Sequence, residues 1–195
     1  MICIIPIETE DGVFTARFSR NGLAELSFPR RGNALKLLTD VPDQWTEQTA
    51  SALKCVLSGQ QPTTLPPLDL SRGTPFQQQV WRALLQIRVG ETRSYGDVAE
   101  AVAVPGAARA VGAACGANPI PAIVPCHRVL AAGKKLGGFS AGLKWKRLLL
   151  EREAAAKDIA VRRDRTAEHP LLSKISINYD PVTSLTADEW PMDNR

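Results

Sequence analysis

The sequence has 195 residues, 44% of them hydrophobic, and a formal net charge of +4. A chain of this length forms one domain or two small ones, and this apolar content is enough for a hydrophobic core. No apolar run approaches the roughly 18 residues of a membrane span, and acidic residues follow the N-terminal MICIIPI too soon for a signal peptide, so we expect a soluble, cytoplasmic protein.

The basic charge is concentrated in the middle of the sequence. Residues 71–153 contain twelve Lys or Arg against five Asp or Glu, a net charge of +7, whereas residues 1–70 contain six against eight. A local excess of this size favours a polyanion such as nucleic acid as a partner. A solvated basic face without a partner is the simpler explanation of the charge taken alone.

The cysteines show no metal-binding pattern. They are scattered, with no Cys-x-x-Cys pair, and the chain has only two histidines. Because zinc fingers need closely spaced Cys and His ligands, we expect reduced thiols. The four cysteines are Cys3, Cys55, Cys115 and Cys126.

The N-terminal part is predicted to form a hairpin followed by a helix. The stretch DGVFTARFSRNGLAELSF alternates like two short strands around an Asn-Gly turn. Apolar spacing predicts a helix from Trp45 to Leu57, and the proline-rich QQPTTLPPLDLSRG is typical of an extended connector. We therefore expect an N-terminal domain over residues 1–70. The predicted core residues of the hairpin are Val13, Leu23, Leu26 and Phe28.

Three short helices are predicted in the basic block. Thr74 and Pro75 suit a helix cap and a first helical position, and apolar residues continue at helical spacing until Gly90. Further helices are predicted from about Ser94 to Val102 and from Ala107 to about Cys115, separated by a Pro-Gly turn. Two short helices joined by a tight turn indicate a helix-turn-helix unit.

The third of these helices, AARAVGAAC, has an unusual surface. Arg109 is its only long polar side chain, and the other residues are almost all Ala or Gly. Small residues allow close packing against a neighbouring helix. A single arginine on a bare helical surface instead suits insertion into a nucleic-acid groove, and its presence shifts the balance toward that role.

The stretch VPCHRV places Cys126 next to His127 and Arg128, between apolar residues. A free thiol has a pKa of about 8.5, so it needs a nearby base or positive charge to populate the thiolate at neutral pH. Consecutive side chains of an extended strand point to opposite faces, so the two residues can act together only through a bridging water or a tight turn. A buried, inert cysteine is the simpler explanation of an isolated Cys-His pair.

The last part of the sequence is predicted to contain a short strand, a Gly-rich loop and a final helix from about Leu143 to Glu153. Beyond that helix the periodicity is lost and charge accumulates. We therefore expect a second domain over residues 71–153 and a loosely ordered tail over residues 154–195.

Residues 73–153 resemble the C-terminal domain of the O6-alkylguanine-DNA alkyltransferases, also called methylated-DNA-protein-cysteine methyltransferases. The resemblance rests on GTPFQQQVW, GETRSYGDVA, ARAVGAACGANPIPAIVPCHRV, GGFSAGL and KRLLLERE in the family's order, and above all on the Pro-Cys-His-Arg signature at residues 125–128. Residues 1–70 are similar only in layout. The resemblance implies an α/β N-terminal domain with a small antiparallel sheet, ribonuclease-H-like, and a mainly α C-terminal domain of winged helix-turn-helix type.

The resemblance also implies DNA repair by direct reversal of damage. Members of the family flip an alkylated guanine out of the duplex and transfer its alkyl group irreversibly to a cysteine of their own. Cys126 matches this acceptor, His127 the base that acts on it through a water, and Glu153 the carboxylate that orients the imidazole. Tyr95 matches the tyrosine that helps to swing out and bind the guanine, and Ser140 a loop residue that donates toward O6. Such a relay is expected to lower the pKa of the acceptor thiol.

Three further positions match residues that contact DNA or support the site. Arg109 matches the arginine finger that fills the gap in the base stack, on a helix that the family lays in the minor groove. Asn118 matches the asparagine in the turn after this helix, and Arg128 the signature arginine, with either a pairing or a catalytic role. With Tyr95 and Ser140 they form the predicted DNA-binding set. The expected partner is double-stranded DNA containing alkylated guanine, with O4-alkylthymine as a second candidate base, bound by a monomer.

The departures from the family's pattern concern the pocket. Phe139 stands where members often have Tyr, Ala141 replaces a common Gly in the loop over the base, and Cys115 lies where the helix often carries a larger residue. Some members bind a structural zinc in the N-terminal domain, but residues 1–70 have two cysteines and no His, so we expect none. No cofactor motif is present either, so the alkyl donor must be the substrate itself.

Two other classes of protein are alternatives. A non-catalytic alkylguanine-sensing or helix-turn-helix DNA-binding protein would share the layout, but sensing relatives lack the acceptor cysteine. A thiol hydrolase would need Cys126 and His127 in direct hydrogen-bond reach, a third orienting group and an oxyanion hole. Hydrolysis of a small ester would support the hydrolase, and stoichiometric inactivation by alkylated DNA would exclude it.

Overall fold

A three-stranded antiparallel sheet forms the N-terminal part of the fold. The computed structural model describes residues 3–29 and 41–167, with side chains to residue 157. The strands β1 (Cys3–Thr9), β2 (Gly12–Ser19) and β3 (Gly22–Ser27) pair in the order β1-β2-β3. The predicted hairpin between β2 and β3 is confirmed. The sequence did not indicate β1, because its apolar stretch has no clear alternation.

The core face of β2 corrects one predicted core residue. Successive strand side chains point to opposite faces, and β2 turns the even-numbered side chains inward. Val13 therefore lies on the outer face and is 43% exposed. Its apolar neighbour Phe14 takes the inner position, which the sequence pattern alone did not distinguish. The buried side chains of this face include Phe14, Ala16 and Phe18 from β2, and the correctly predicted Leu23, Leu26 and Phe28.

Helix α1 (Asp43–Leu57) contributes buried residues to the same core, as its apolar spacing predicts. The connector after it is extended and returns along β3. The Leu23 amide donates to the Pro67 carbonyl at 2.8 Å, and the Asp69 amide donates to the Leu23 carbonyl at 2.8 Å. These bonds tie the connector to the sheet.

The predicted helices of the basic block are α2 (Pro75–Leu84), α3 (Tyr95–Ala101) and α4 (Ala108–Gly116). The side chain of Thr74 accepts from the Gln77 amide, and the side chain of Gln77 accepts from the Thr74 amide. Ser94 and Asp97 form the same reciprocal cap at α3. Both helices therefore begin where their polar cap residues predict.

A small parallel pairing links the start of α3 to the segment after Cys126. Strand β4 (Arg93–Ser94) pairs with β5 (Val129–Leu130). One turn of 3-10 helix (Cys126–Arg128) immediately precedes β5, and α3 begins directly after β4. The pairing therefore holds the beginning of α3 beside the Cys126 turn.

The last helix, α5 (Leu143–Ala167), is longer than the sequence predicted. The predicted end at Glu153 is wrong, because the following AAAKDIAVRRDRTA contains many residues of high helix propensity. The compact unit that contains the preceding elements ends at Ile159, within this helix. The remainder of the predicted tail, residues 168–195, lies outside the described residues.

The predicted fold class, a small antiparallel sheet domain followed by a helical domain, is confirmed. Among the described residues, no helix is both long and apolar enough to cross a membrane.

Candidate active site

A tight turn presents Cys126 and His127. Pro125 has φ −82° and ψ 60°, and the Cys126 amide donates back to the Val124 carbonyl at 2.8 Å, which is the geometry of an inverse γ-turn. The chain then enters the 3-10 turn, closed by the Arg128 amide on the Pro125 carbonyl at 3.0 Å. The chain therefore makes a tight turn at Cys126, but among the described residues no hydrogen bond joins the side chains of Cys126 and His127.

Asn118 holds the thiol from the end of α4. Its Nδ2 donates to Cys126 Sγ at 3.1 Å and to the Val124 carbonyl at 2.9 Å, and its Oδ1 accepts from the Ile120 amide at 3.0 Å. The side chain is buried, and its polar atoms are used within the site. These bonds position Cys126, and a contact of Asn118 with DNA stays a prediction.

Glu153 joins His127 and Arg128 beneath the turn. Its Oε1 lies 2.9 Å from His127 Nε2, and Arg128 donates to the same carboxylate from Nε and from Nη2, the latter at 2.8 Å. Arg128 Nη1 also donates to the Ile87 carbonyl at 2.6 Å. Arg128 is therefore a buried partner of Glu153, and its contact with DNA stays a prediction. Its alternative role, structural pairing, fits these bonds.

The electrostatics of Glu153 and His127 fix the tautomer of the His127 ring. Burial raises the pKa of the Glu153 carboxyl, but hydrogen bonds from His127 and Arg128 outweigh burial and bring it down to about 2. Burial lowers the pKa of His127, and Glu153 offsets this only in part. A neutral imidazole facing a carboxylate through Nε2 carries its proton there, so Nδ1 is left as an acceptor. Within the described residues, Nδ1 is buried without a hydrogen-bond partner.

The pKa of Cys126 differs from the sequence-based expectation. Burial raises it, while the hydrogen bond from Asn118 and the charge of Lys146 act in the opposite direction without outweighing burial. The expected depression of this pKa is therefore wrong for the free protein. The sequence indicated the polar neighbours of the thiol but not its burial, since Cys126 is only 3% exposed.

A cavity of about 810 Å³ opens above the thiol. Gly137 has φ +65° and lies so close to Tyr95 that a Cβ there would be 2.9 Å from the phenol oxygen, so the Gly-rich loop approaches the ring directly. The residues that line this cavity include four of the predicted site residues, Tyr95, Arg109, Cys126 and Ser140. They also include Cys115 and Phe139, two of the positions that depart from the family's pattern.

Comparisons with known proteins agree with this arrangement. Residues 75–155 match the family model described as 6-O-methylguanine DNA methyltransferase, DNA binding domain. The methylated-DNA–protein-cysteine methyltransferase of Mycobacterium bovis is 63% identical over 86 residues, which are 44% of this chain and 52% of that protein. The chain thus spans about half the length of this relative.

Two other relatives are matched over most of their length. The methylated-DNA–protein-cysteine methyltransferase of Methanosarcina acetivorans is 42% identical over 125 residues, which are 60% of this chain and 78% of that protein. This chain belongs to the methylated-DNA–protein-cysteine methyltransferase family. A crystal structure of Mycobacterium tuberculosis OGT in complex with DNA superposes with a TM-score of 0.66 at 41% identity, covering 77% of this chain and 91% of that one.

Lys146 is a site residue of this family member that the sequence analysis missed. Its Nζ donates to the Val129 carbonyl at 2.6 Å and to the Gly138 carbonyl at 3.2 Å, and the residue has no exposed surface. It therefore joins the strand after Cys126 to the Gly-rich loop that lines the cavity. Its signal in the sequence is its position on α5, where Lys146, Leu149 and Glu153 follow one another at i, i+3 and i+7 on a buried face.

Two of the positions that depart from the family's pattern lie at the cavity. The Phe139 ring makes edge contacts with Phe28, at 5.8 Å between centroids, and with the His127 ring, at 6.4 Å. Burial, together with the nearby Cys126, raises the pKa of the Cys115 thiol to about 12. The Cys115 thiol is therefore protonated at neutral pH, although it lines the same cavity as Cys126.

Proposed function

We propose that this chain repairs DNA by moving the alkyl group of O6-alkylguanine to Cys126, irreversibly and once per molecule. Family membership supports this activity. The observation that carries it is the Cys126 turn: a buried thiol lines a cavity large enough to admit a nucleobase while the adjacent imidazole, oriented by Glu153, offers a free acceptor nitrogen. O4-alkylthymine is a second candidate substrate of the same chemistry.

In the proposed reaction, Cys126 Sγ forms a bond to the alkyl carbon as the bond from that carbon to O6 breaks. The electron pair of the broken bond stays on the guanine. The thiol proton passes through a water to His127 Nδ1, and Glu153 stabilises the imidazolium that forms. Hydroxyl groups of Tyr95 and Ser140 donate to the departing base, which then takes a proton from solvent. The product is a thioether without a good leaving group, so the protein is not regenerated.

The raised pKa of Cys126 indicates when the proton moves. The free protein keeps a neutral thiol next to a neutral His127, so neither of these two groups is a buried charge before the substrate arrives. Deprotonation then accompanies alkyl transfer, when the developing charge is delocalised onto the base. We propose that the ammonium group of Lys146 stabilises the thiolate at this stage, since its charge acts on both cavity thiols.

The proposed DNA contacts lie on α4. Arg109 is exposed at the edge of the cavity, on a helix whose other residues are small enough for a close approach to the minor groove. We propose that it occupies the space left by the flipped nucleotide. The proposed domains are residues 1–70, carrying the sheet, and residues 71–153, carrying DNA binding and chemistry. We further propose that the protein acts as a cytoplasmic monomer.

The geometry favours transfer over the two alternatives. A hydrolase would pair Cys126 directly with His127, whereas the thiol receives its hydrogen bond from Asn118. A sensor without chemistry would not need the acceptor cysteine, nor a carboxylate that fixes the imidazole tautomer.

A labelling experiment tests the proposal. Duplex DNA with O6-methylguanine radiolabelled at the methyl group is incubated with the protein at several ratios, and label bound to protein is separated from label released to solvent. We expect at most one methyl group per protein molecule and restoration of guanine. Label released to solvent in excess over the protein would indicate hydrolysis, and an unchanged duplex would contradict any repair.

A further inference from the structure

Helix α5 carries two adjacent charged residues that face different partners. Successive residues of an α-helix point about 100° apart. Glu153 faces His127 and Arg128, and its Oε2 also accepts from the Gly90 amide at 3.2 Å. Arg152, one position earlier, faces the N-terminal sheet. The backbone that joins Arg152 to Glu153 therefore connects the site to the sheet domain.

Arg152 makes three hydrogen bonds to the N-terminal part of the fold. Nη1 and Nη2 donate to the two carboxylate oxygens of Asp11, at 2.6 and 2.8 Å, and Nη1 also donates to the Leu57 carbonyl at 2.9 Å. Asp11 lies in the turn between β1 and β2, and Leu57 is the last residue of α1. A two-pronged guanidinium contact fixes direction as well as distance, unlike a single ion pair.

The backbone of α5 is also in close contact with the end of α1. Gly59 has φ +70°, and a Cβ on it would lie 2.3 Å from the Arg152 carbonyl oxygen and 2.9 Å from the Glu153 nitrogen. Its amide donates to the Val56 carbonyl and that of Gln60 to the Cys55 carbonyl, which is the pattern of a Schellman cap. One glycine therefore ends α1 and allows α5 to touch it at the peptide that joins Arg152 to Glu153.

The contacts of Arg152 are partly removed from solvent. The Asp11 side chain is 18% exposed and that of Arg152 33%. The hydrogen bond from Arg152 lowers the pKa of Asp11, so the pair stays ionised at neutral pH. A fully exposed ion pair would be too weak and mobile to hold a helix, whereas this one adds to a main-chain contact at the same place.

We infer that Arg152 is a positioning residue: with Asp11 and the end of α1, it fixes the turn of α5 that presents Glu153 to His127. The sheet domain then contributes to the chemistry without touching the substrate. The inference rests on the proposed function, since Glu153 matters for the rate only if His127 accepts the proton of Cys126.

The test measures single-turnover alkyl transfer from the free base O6-benzylguanine, which removes effects on DNA binding. In this reaction the amplitude reports the fraction of folded, active protein, and the rate constant reports the geometry of the site. We expect Arg152→Gln and Asp11→Asn each to lower the rate constant about tenfold, because small displacements of a catalytic group are costly. Arg147→Gln, the same change at an exposed position of α5, should lower it less than about twofold.

A double-mutant comparison decides whether Arg152 acts through Glu153. In a Glu153→Gln background, Arg152→Gln should change the rate constant less than about twofold, since coupled residues are not additive. An equal loss of rate in both backgrounds would contradict the inference. A lower amplitude with an unchanged rate constant would also contradict it, because that result means that the Arg152 bonds only stabilise the fold. If the unmodified protein takes up no alkyl group from DNA, the proposed function fails instead. If it reacts and the variants react equally well, only the inference fails.

Discussion

At Cys126, burial and hydrogen bonding act on the thiol in opposite directions. Burial raises its pKa, and Asn118 and Lys146 only reduce the effect. In the proposed reaction, the site therefore activates the cysteine by providing a place for its proton. That place is His127 Nδ1, which is an acceptor because Glu153 holds the proton of the neutral ring on Nε2. The proposed chemistry depends on the tautomer and orientation of His127 more than on a Cys126 thiolate already present in the free protein.

The pH dependence of transfer tests this role of His127. In the unmodified protein the rate should be level at neutral pH and fall as pH drops through the lowered pKa of His127, where the ring becomes protonated. In His127→Ala the proton has to leave to solvent, so the rate should rise about tenfold per pH unit toward the raised pKa of the thiol. Stopped-flow alkylation from about pH 5 to about pH 10 gives both profiles.

The pH profile of Glu153→Gln should lie between those of the unmodified protein and His127→Ala. A neutral amide can still orient the ring but stabilises an imidazolium less, so we expect a milder form of the His127→Ala behaviour. If the profile of His127→Ala matched that of the unmodified protein, His127 would have no part in proton transfer, and Lys146 would be the remaining candidate activator.

The buried charge of Lys146 leads to a second prediction. Lys146→Met keeps the length of the side chain but removes the ammonium group, so the pKa of Cys126 should rise further. We expect the transfer rate from free O6-benzylguanine to fall about tenfold at neutral pH, which corresponds to about one pKa unit, and to recover as pH rises. A loss that is the same at every pH would show that Lys146 only anchors the Gly-rich loop.

Among the elements, α4 has the clearest separate role. Arg109→Ala should slow repair of O6-methylguanine in duplex DNA by about tenfold or more, because in the proposed reaction the arginine fills the gap that the flipped nucleotide leaves, and unstacking costs a few kcal/mol. Reaction with free O6-benzylguanine involves no unstacking and should change less than about twofold. Equal losses on the two substrates would mean that Arg109 shapes the cavity instead.

The elements also differ in how far the sequence predicts them. Helices α2 and α3 begin at reciprocal polar caps, which are local signals, and both starts were placed within a residue or two, but α2 ends at Leu84, before the predicted end at Gly90. The errors are the outward side of Val13, the missed β1 and the end of α5 at Glu153. These errors depend either on which face of an element the rest of the fold covers or on helix propensity without hydrophobic periodicity. Neither feature can be read from short-range sequence patterns.

For the whole molecule, the site combines segments that are far apart in the chain. The signature at residues 125–128 gave the cysteine and its histidine, and the resemblance gave Glu153 and Tyr95. Lys146 and the contact between Asp11 and Arg152 were not foreseen. They depend on where α5 packs. The helical spacing of Lys146 with Leu149 and Glu153 places it on their face of the helix but does not show that this face is buried, and nothing near Asp11 marks it as paired.

The charge of the whole molecule leads to a prediction about DNA affinity. Residues 71–153 contain twelve basic and five acidic residues, a net charge of +7. Contacts with DNA phosphates should therefore dominate binding, and such contacts release counterions. We expect the affinity for duplex DNA to fall at least about tenfold between about 50 and about 200 mM salt, with weak sequence preference. The rate with free O6-benzylguanine is the control and should change little. An affinity that stays flat over this range would contradict phosphate-dominated binding.

Peptide mass mapping of the protein after reaction with O6-methylguanine duplex tests the central claim most directly, because Cys115 and Cys126 line the same cavity. The account predicts one added methyl group, carried on Cys126, and none on Cys115, because Asn118 and the adjacent His127 serve the Cys126 thiol. Cys126→Ser should carry no methyl group while binding DNA within about tenfold of the unmodified protein, since phosphate contacts supply the affinity. Methylation of Cys115 or Cys55, at the unmodified rate in Cys126→Ser, would contradict the account.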